Sequence, residues 1–174
     1  MAILNKKSRV VTQGDDRAAA RSMLRATGLT DEDMNKPFIG IANLASDVTP
    51  CNVHLDRIAQ KTKTGVRKSG MVPMMFGTIT ISDGISMGTE GMKASLVTRE
   101  IIADSIEAVV FGESLDGLLA VGACDKNMPG IMMAMGRLNV PSIFVYGGAI
   151  LPGNHNGEDI NVQDMFEAVG KYSR

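Results

Sequence analysis

Apolar residues along the chain fall into two alternating kinds of run. Short, continuous, β-rich runs occur at FIGIAN (38–43), MMFGTITI (74–81), LLAVGA (118–123) and SIFVYG (142–147). Each is bounded by Gly, Pro, Asn or Asp, and the pattern predicts four strands. Between them the spacing turns helical. In residues 52–68, Val53, Leu55, Ile58, Ala59, Thr62 and Val66 share one face, and Gly70 stands where a helix stop is expected. In residues 95–111, Leu96, Val97, Ile101, Ile102, Ile106, Val109 and Val110 make a broad apolar face ended by Gly112. Residues 129–138 open on Pro129, a good first helical residue. Further helices are predicted at about 15–26 and 161–172. Strands that are apolar throughout are covered on both faces. Their alternation with helices predicts parallel βαβ units with right-handed crossovers. The expected fold class is α/β: a three-layer α/β/α domain with a mostly parallel sheet.

This architecture says where chemistry should be sought. Ligands of open α/β sheets sit outside the carboxyl ends of the strands. The segments that follow the four strands are 44–52, 82–91, 124–128 and 147–157. They contain both cysteines, Cys51 and Cys124, together with Asp83, Asp125 and Lys126.

Composition narrows the classes of function. The chain has 174 residues, 44% hydrophobic and 21% charged, as suits one globular domain. Eighteen basic and nineteen acidic residues leave a net charge of -1, so no strong field favours nucleic acid or an anionic membrane. No apolar run approaches the roughly 18 residues of a membrane span. The opening MAILNKKSRVV is too weakly apolar for a signal peptide, and Asp15-Asp16 argue against a transit peptide. Two cysteines make no disulfide scaffold, so a reducing, cytoplasmic setting is expected.

Each candidate residue has a bland reading beside a chemical one. The cysteines are either buried free thiols or soft-metal ligands, because thiolates select zinc and iron–sulfur clusters. Asp83, in Ser-Asp-Gly, is a turn residue or an oxygen ligand, and Asp125 is a helix N-cap or a second such ligand, in a site suited to magnesium. Lys126 is a solvated charge unless modified or deprotonated, since a dication beside it would repel it. His54 belongs to a first helical turn. The methionines clustered at 71–75 and 128–135 are read as adaptable core packing. Gly84, Gly88, Gly91, Gly147 and Gly148 follow strands and permit close backbone approach. No nucleotide-binding GxGxxG or GxxxxGK[ST] element is present on a strand-to-helix turn.

Several longer motifs add to this. TPCNVHL (49–55), TITISDGISMGTEGM (78–92), TREIIADSIE (98–107), CDKNMPGIMMAMGRLN (124–139) and PSIFVYGG (141–148) resemble the iron–sulfur dehydratase family that contains the dihydroxy-acid dehydratases. The resemblance runs from about residue 14 to the end of the chain. It implies an N-terminal α/β domain, here residues 1–174, followed by a C-terminal β-barrel-like domain. It implies elimination of water from a small 2,3-dihydroxy acid to give a 2-keto acid. Cys51 and Cys124 are then ligands of an iron–sulfur cluster, 2Fe–2S or 4Fe–4S. Asp83 and Asp125 bind Mg2+, and a carbamylated Lys126 joins them, which would turn the repelled ammonium into an anionic oxygen ligand. The family's third cluster cysteine, last carboxylate ligand and serine base lie beyond the matched region, so no catalytic residue is assigned within this chain. Thr98 stands where the family has Ser, and Ala94 where an aromatic is common. Ser-Met-Gly (86–88), Asn-Met-Pro-Gly (127–130) and PSIFVYGG favour the branched-chain amino-acid enzyme over its sugar-acid and 6-phosphogluconate relatives. A homodimer is expected for the full-length enzyme. The alternatives are a non-catalytic α/β module or part of a sugar-acid dehydratase.

Overall fold

The computed structural model describes residues 4–173. Its centre is a four-stranded, wholly parallel sheet of β1 (Phe38–Asn43), β2 (Val72–Gly77), β3 (Gly117–Gly122) and β4 (Ser142–Tyr146), in the order β2-β1-β3-β4. The crossovers are α3 (Leu55–Lys68) from β1 to β2, then α4 (Asp83–Ser86) and α5 (Gly91–Gly112) from β2 to β3, and α6 (Asn127–Leu138) from β3 to β4. The first crossover runs toward one sheet edge and the others toward the opposite edge. Right-handed connections therefore put α3 on one face and α5 and α6, which pack on each other, on the other face. The three expected layers are present.

The core lies between these layers. Ile41, Ala42, Leu118 and Val121 of the inner strands meet Leu55 and Ala59 of α3 and Ile102, Ile106 and Ile131 of α5 and α6, all fully or almost fully buried. α5 packs chiefly on α6 and buries Thr98, Ile102, Ala103, Ile106 and Val110, whereas Leu96, Val97 and Ile101 of the expected apolar face stand exposed. α6 approaches α5 at Gly130, where an added Cβ would stand 2.8 Å from the Arg99 carbonyl oxygen. α3 stops as its sequence predicts. Gly70 is left-handed (φ 75), Gly70 N–H returns to the Arg67 carbonyl and Met71 N–H to the Val66 carbonyl.

The second strand differs from expectation. It covers 72–77 rather than 74–81, because its one neighbour, β1, ends at Asn43 opposite Gly77. Pro73 is tolerated because β2 is an edge strand. The β-rich Thr78–Ile81 stretch, left without a strand to pair with, enters the loops at the end of the sheet. There the Thr78 and Ser105 hydroxyls bond each other at 2.6 Å, and Thr80 Oγ1 accepts from Asn127 Nδ2 at 3.0 Å.

Smaller elements complete the chain. α1 (Arg9–Thr12) precedes a 3-10 turn (Asp15–Arg17) and α2 (Ala18–Ala26), where one helix was expected, and a second 3-10 turn spans Asp33–Asn35. Asp116, at the entry of β3, accepts from the backbone N–H groups of Lys7, Ser8 and Phe38 and so ties the N-terminal segment to the sheet. A hairpin of β5 (Gly153–His155) and β6 (Glu158–Ile160) turns on Asn156-Gly157, both at positive φ, and leads into α7 (Val162–Tyr172). Among the described residues no helix is long and apolar enough to cross a membrane.

Candidate active site

β1 and β3 are neighbours in the sheet, yet the chain leaves them toward opposite edges. The loops after these two strands therefore part, and the crevice between them is the switch point at which α/β sheets bind ligands. Cys51 follows β1 and Cys124 follows β3, so both thiols stand at this crevice. Asp83 follows β2, and Asp125 and Lys126 follow Cys124 directly. The structure thus brings all five sequence-predicted residues to one end of the sheet.

Two adjoining halves differ in chemistry. In the thiol half, Cys51 is half-buried and Cys124 buried, and both are free. Burial pushes the Cys51 thiol up, and the facing Cys124 thiol and the Asp83 carboxylate add to the rise. Cys124 Sγ also meets the Ile81 carbonyl oxygen at 3.5 Å. In the carboxylate half, Lys126 Nζ lies 2.8 Å from Asp83 Oδ2 and also bonds the Asp125 carboxylate. Asp83 is 16% exposed and Asp125 60%, so Asp83 is the partner held inside the site. Burial would push the Asp83 carboxyl up, but the hydrogen bonds it accepts from Lys126 and Ser95 outweigh it and hold the group below the usual carboxylate range. Bonds to Asp125 and Asp83 in turn hold the Lys126 ammonium above its ordinary value.

Neither aspartate plays the bland part open to it. Ser82, not Asp83, caps α4, accepting from Ile85 N–H at 3.3 Å. The Asp83 carboxylate instead accepts from Ser95 Oγ of α5 and from Lys126. At the start of α6 the N-cap is Lys126 with no side-chain cap bond, and the Asp125 carboxylate accepts from the Lys126 ammonium. His54 immediately precedes α3, and its Nε2 donates to the Gly147 carbonyl oxygen at 2.7 Å, locking the loop after β4 onto the loop after β1. Gly147 is needed for that contact, since a Cβ there would fall 2.2 Å from Leu55 Cδ2. Met71, Met74, Met75, Met133 and Met135 pack against the core, as expected, whereas Met132 of the same cluster stands exposed.

Ser95, Thr80, Asn52 and Asn127 have roles here that the sequence did not disclose. Ser95 reads as one more position on a helical face. A cavity of about 1170 Å³, lined by the β5–β6 hairpin and α7, lies away from the thiols.

The donor set can be tested against the groups that the resemblance implies. Among the described residues no three His, Cys, Asp or Glu side chains form a ready-made metal site. The charge balance nevertheless leaves room for a cation. Ionising Cys51 is opposed by burial, by Cys124 and by Asp83, while Lys126 is engaged by the two carboxylates. Positive charge between the thiols would remove that opposition. Thr49, two residues before Cys51, has a buried hydroxyl with no protein partner. The thiols thus fit part of the ligand set of an iron–sulfur cluster, and the carboxylates fit a hard dication once Lys126 ceases to be an ammonium.

An open parallel sheet with cysteine, aspartate and lysine side chains gathered at its switch point defines a three-layer α/β domain with a candidate ligand site. The chain belongs to the family described as dihydroxy-acid/6-phosphogluconate dehydratase, N-terminal, whose pattern matches residues 36–174. It is 62% identical over 167 residues to the dihydroxy-acid dehydratase of Synechococcus sp. (strain JA-3-3Ab), covering 96% of this chain. It is 60% identical over 169 residues to that of Synechocystis sp. and 59% identical over 169 residues to that of Crocosphaera subtropica. In each case the chain spans 30% of the relative's length.

Proposed function

We propose that this chain is the N-terminal, ligand-carrying domain of a dihydroxy-acid dehydratase, a hydro-lyase that converts 2,3-dihydroxy-3-methyl acids to 2-keto acids in valine, isoleucine and leucine biosynthesis. The observation that carries this reading is the meeting of Cys51 and Cys124 at the switch point, with Asp83, Asp125 and Lys126 beside them. Cys51 and Cys124 hold an iron–sulfur cluster, and Asp83, Asp125 and Lys126 hold Mg2+. When bound, these groups supply Lewis-acid activation of the leaving hydroxyl and of the proton on the neighbouring carbon.

The chain's own residues arrange that chemistry. Ser95 orients Asp83 by donating to one carboxylate oxygen. Lys126 enters the metal site as a carbamate: its neutral amine adds to CO2, forms an N–C bond and releases one proton. As an ammonium held by two carboxylates it is protected from that reaction. The third thiolate and the base that takes the proton come from the region that the relatives carry beyond the matched segment. The same reading makes the enzyme a cytoplasmic homodimer that acts on a small dihydroxy acid, not on nucleic acid or a membrane.

The test joins residues 1–174 to the remaining region of the Synechococcus relative and reconstitutes the product anaerobically with iron, sulfide and Mg2+. Turnover of 2,3-dihydroxyisovalerate is expected, with loss of iron in Cys51→Ser and Cys124→Ser. Preference for 6-phosphogluconate, or iron retained without either thiol, would overturn the assignment.

A further inference from the structure

The parts of the site that react are held by parts that do not. Asn52 and Asn127 are 0% and 1% exposed, so both polar side chains are out of reach of bulk solvent. A buried amide without partners is costly, so its bonding must be accounted for atom by atom. Asn52 Nδ2 donates to the Leu44 carbonyl oxygen at 2.5 Å and to Asn127 Oδ1 at 2.8 Å. Asn52 Oδ1 accepts from Cys124 N–H at 3.2 Å. Asn127 Oδ1 also accepts from the N–H groups of Ala123 at 3.3 Å and Cys124 at 3.1 Å. Asn127 Nδ2 donates to Thr80 Oγ1 at 3.0 Å.

These partners lie on three different segments. Leu44 is the first residue after β1, Ala123 and Cys124 follow β3, and Thr80 lies in the stretch between β2 and Asp83. Asn52 is the residue next to Cys51, and the Cys124 backbone N–H is bonded by both amides. Two buried side chains therefore fix the loops that carry one thiol, the other thiol and the half-buried Asp83 carboxylate.

We propose that Asn52 and Asn127 are positioning residues, whose paired side-chain amides set the spacing of the Cys51 and Cys124 thiols by tying together the segments that follow β1, β2 and β3. The pair rests on the proposed function only in treating the two thiols as a unit. Replacing either amide frees one thiol-bearing loop from the other. Asn127→Asp is the conservative variant: a carboxylate can still accept from both N–H groups and from Asn52, and can accept from a Thr80 hydroxyl turned to donate.

The test needs neither cluster nor turnover. The chain has two cysteines. A trivalent arsenical such as phenylarsine oxide, which makes a stable ring adduct only with two adjacent thiols, therefore reports directly on their spacing. The wild-type chain should bind one arsenical in a form that resists a competing monothiol. Asn52→Leu and Asn127→Leu, with the fold checked by circular dichroism, should weaken this binding about ten- to hundredfold, as loss of ligand-orienting residues does at metal sites. Asn127→Asp should recover most of it. Val66→Ala, a core truncation at the far end of α3, should leave it unchanged. Where a leucine variant does not fold, Asn127→Ser takes its place, because the shorter side chain cannot reach both Asn52 and Thr80. Unchanged arsenical affinity in folded Asn127→Leu or Asn127→Ser, or equal loss in Val66→Ala, would show that the amides stabilise the fold without setting the thiols. Iron retention by the joined protein is measured separately, so failure of the cluster reading leaves this result standing.

Discussion

Asp83 and Asp125 are alike in type but not in circumstance. Asp83 is held inside by Ser95 and Lys126, whereas Asp125 reaches Lys126 from the surface. Asp83→Asn in the joined protein should therefore abolish most activity and its response to Mg2+, and Asp125→Asn should do so less completely. Ser95→Ala, which removes only the group orienting Asp83, should cost about tenfold in Mg2+ affinity. Magnesium titrations of the reconstituted enzyme measure all three. The cysteines, aspartates and lysine could be picked out from sequence because rare or charged types fell directly after apolar strands. Their supporting residues could not. Asn52 meets Asn127 across 75 residues and Thr80 meets Asn127 across 47, and no local pattern encodes such bonds.

Elements were legible where periodicity was long and boundaries less so. α5 and α3 form where helical spacing predicts them, although Val53, Leu96, Val97 and Ile101 of the expected faces stand exposed, and the short β5–β6 hairpin on Asn156-Gly157 has no apolar alternation to reveal it. The second strand slipped because its length is set by β1, not by its own β propensity. Two substitutions probe how elements are joined. Gly130→Ala places a methyl group against the Arg99 carbonyl and should lower stability by about 1–3 kcal/mol. Asp116→Ala leaves three backbone donors unpaired and should cost about 2 kcal/mol, with early hydrogen exchange in residues 7–12. Urea denaturation measures both. The 3-10 turn at Asp33–Asn35 gives a pH signature. Asp33 accepts from the Thr30 backbone N–H and hydroxyl, which hold its carboxyl below the ordinary 3.8, with Lys36 assisting. A depressed carboxyl stabilises the fold fully above its unfolded value, and that contribution is lost as pH falls through the folded value. Wild type should therefore lose stability below about pH 4 more steeply than Asp33→Asn.

At the scale of the whole molecule, the apolar surface is unevenly covered. Val162, Met165, Phe166 and Val169 recur on one side of α7, all exposed, and Leu151 stands exposed before the hairpin. An apolar stripe of this kind promotes association in water. The chain of residues 1–174 should sediment faster as its concentration rises. Ammonium sulfate should strengthen the effect, and Phe166→Ser with Val169→Ser should weaken it. Sedimentation velocity checks this, and a concentration-independent coefficient in the wild type would count against it.

The sheet order has a consequence in time as well as in space. Every strand pair of the four-stranded sheet is parallel, and a bond that closes the site reaches far along the chain: His54 to Gly147 spans 93 residues. Such contacts form slowly, because each requires a long loop to close before any stabilisation is gained. In the newly made polypeptide the two thiols are strangers, separated by the strand and helices that must first assemble between them. A soft metal offered at that stage meets two independent cysteines, and a chelating pair arises only once β3 has docked beside β1. Under the proposed function, topology would order maturation of the site, with folding first and loading second, and a chain that stalls before β3 docks presents two separate thiols instead of one pair.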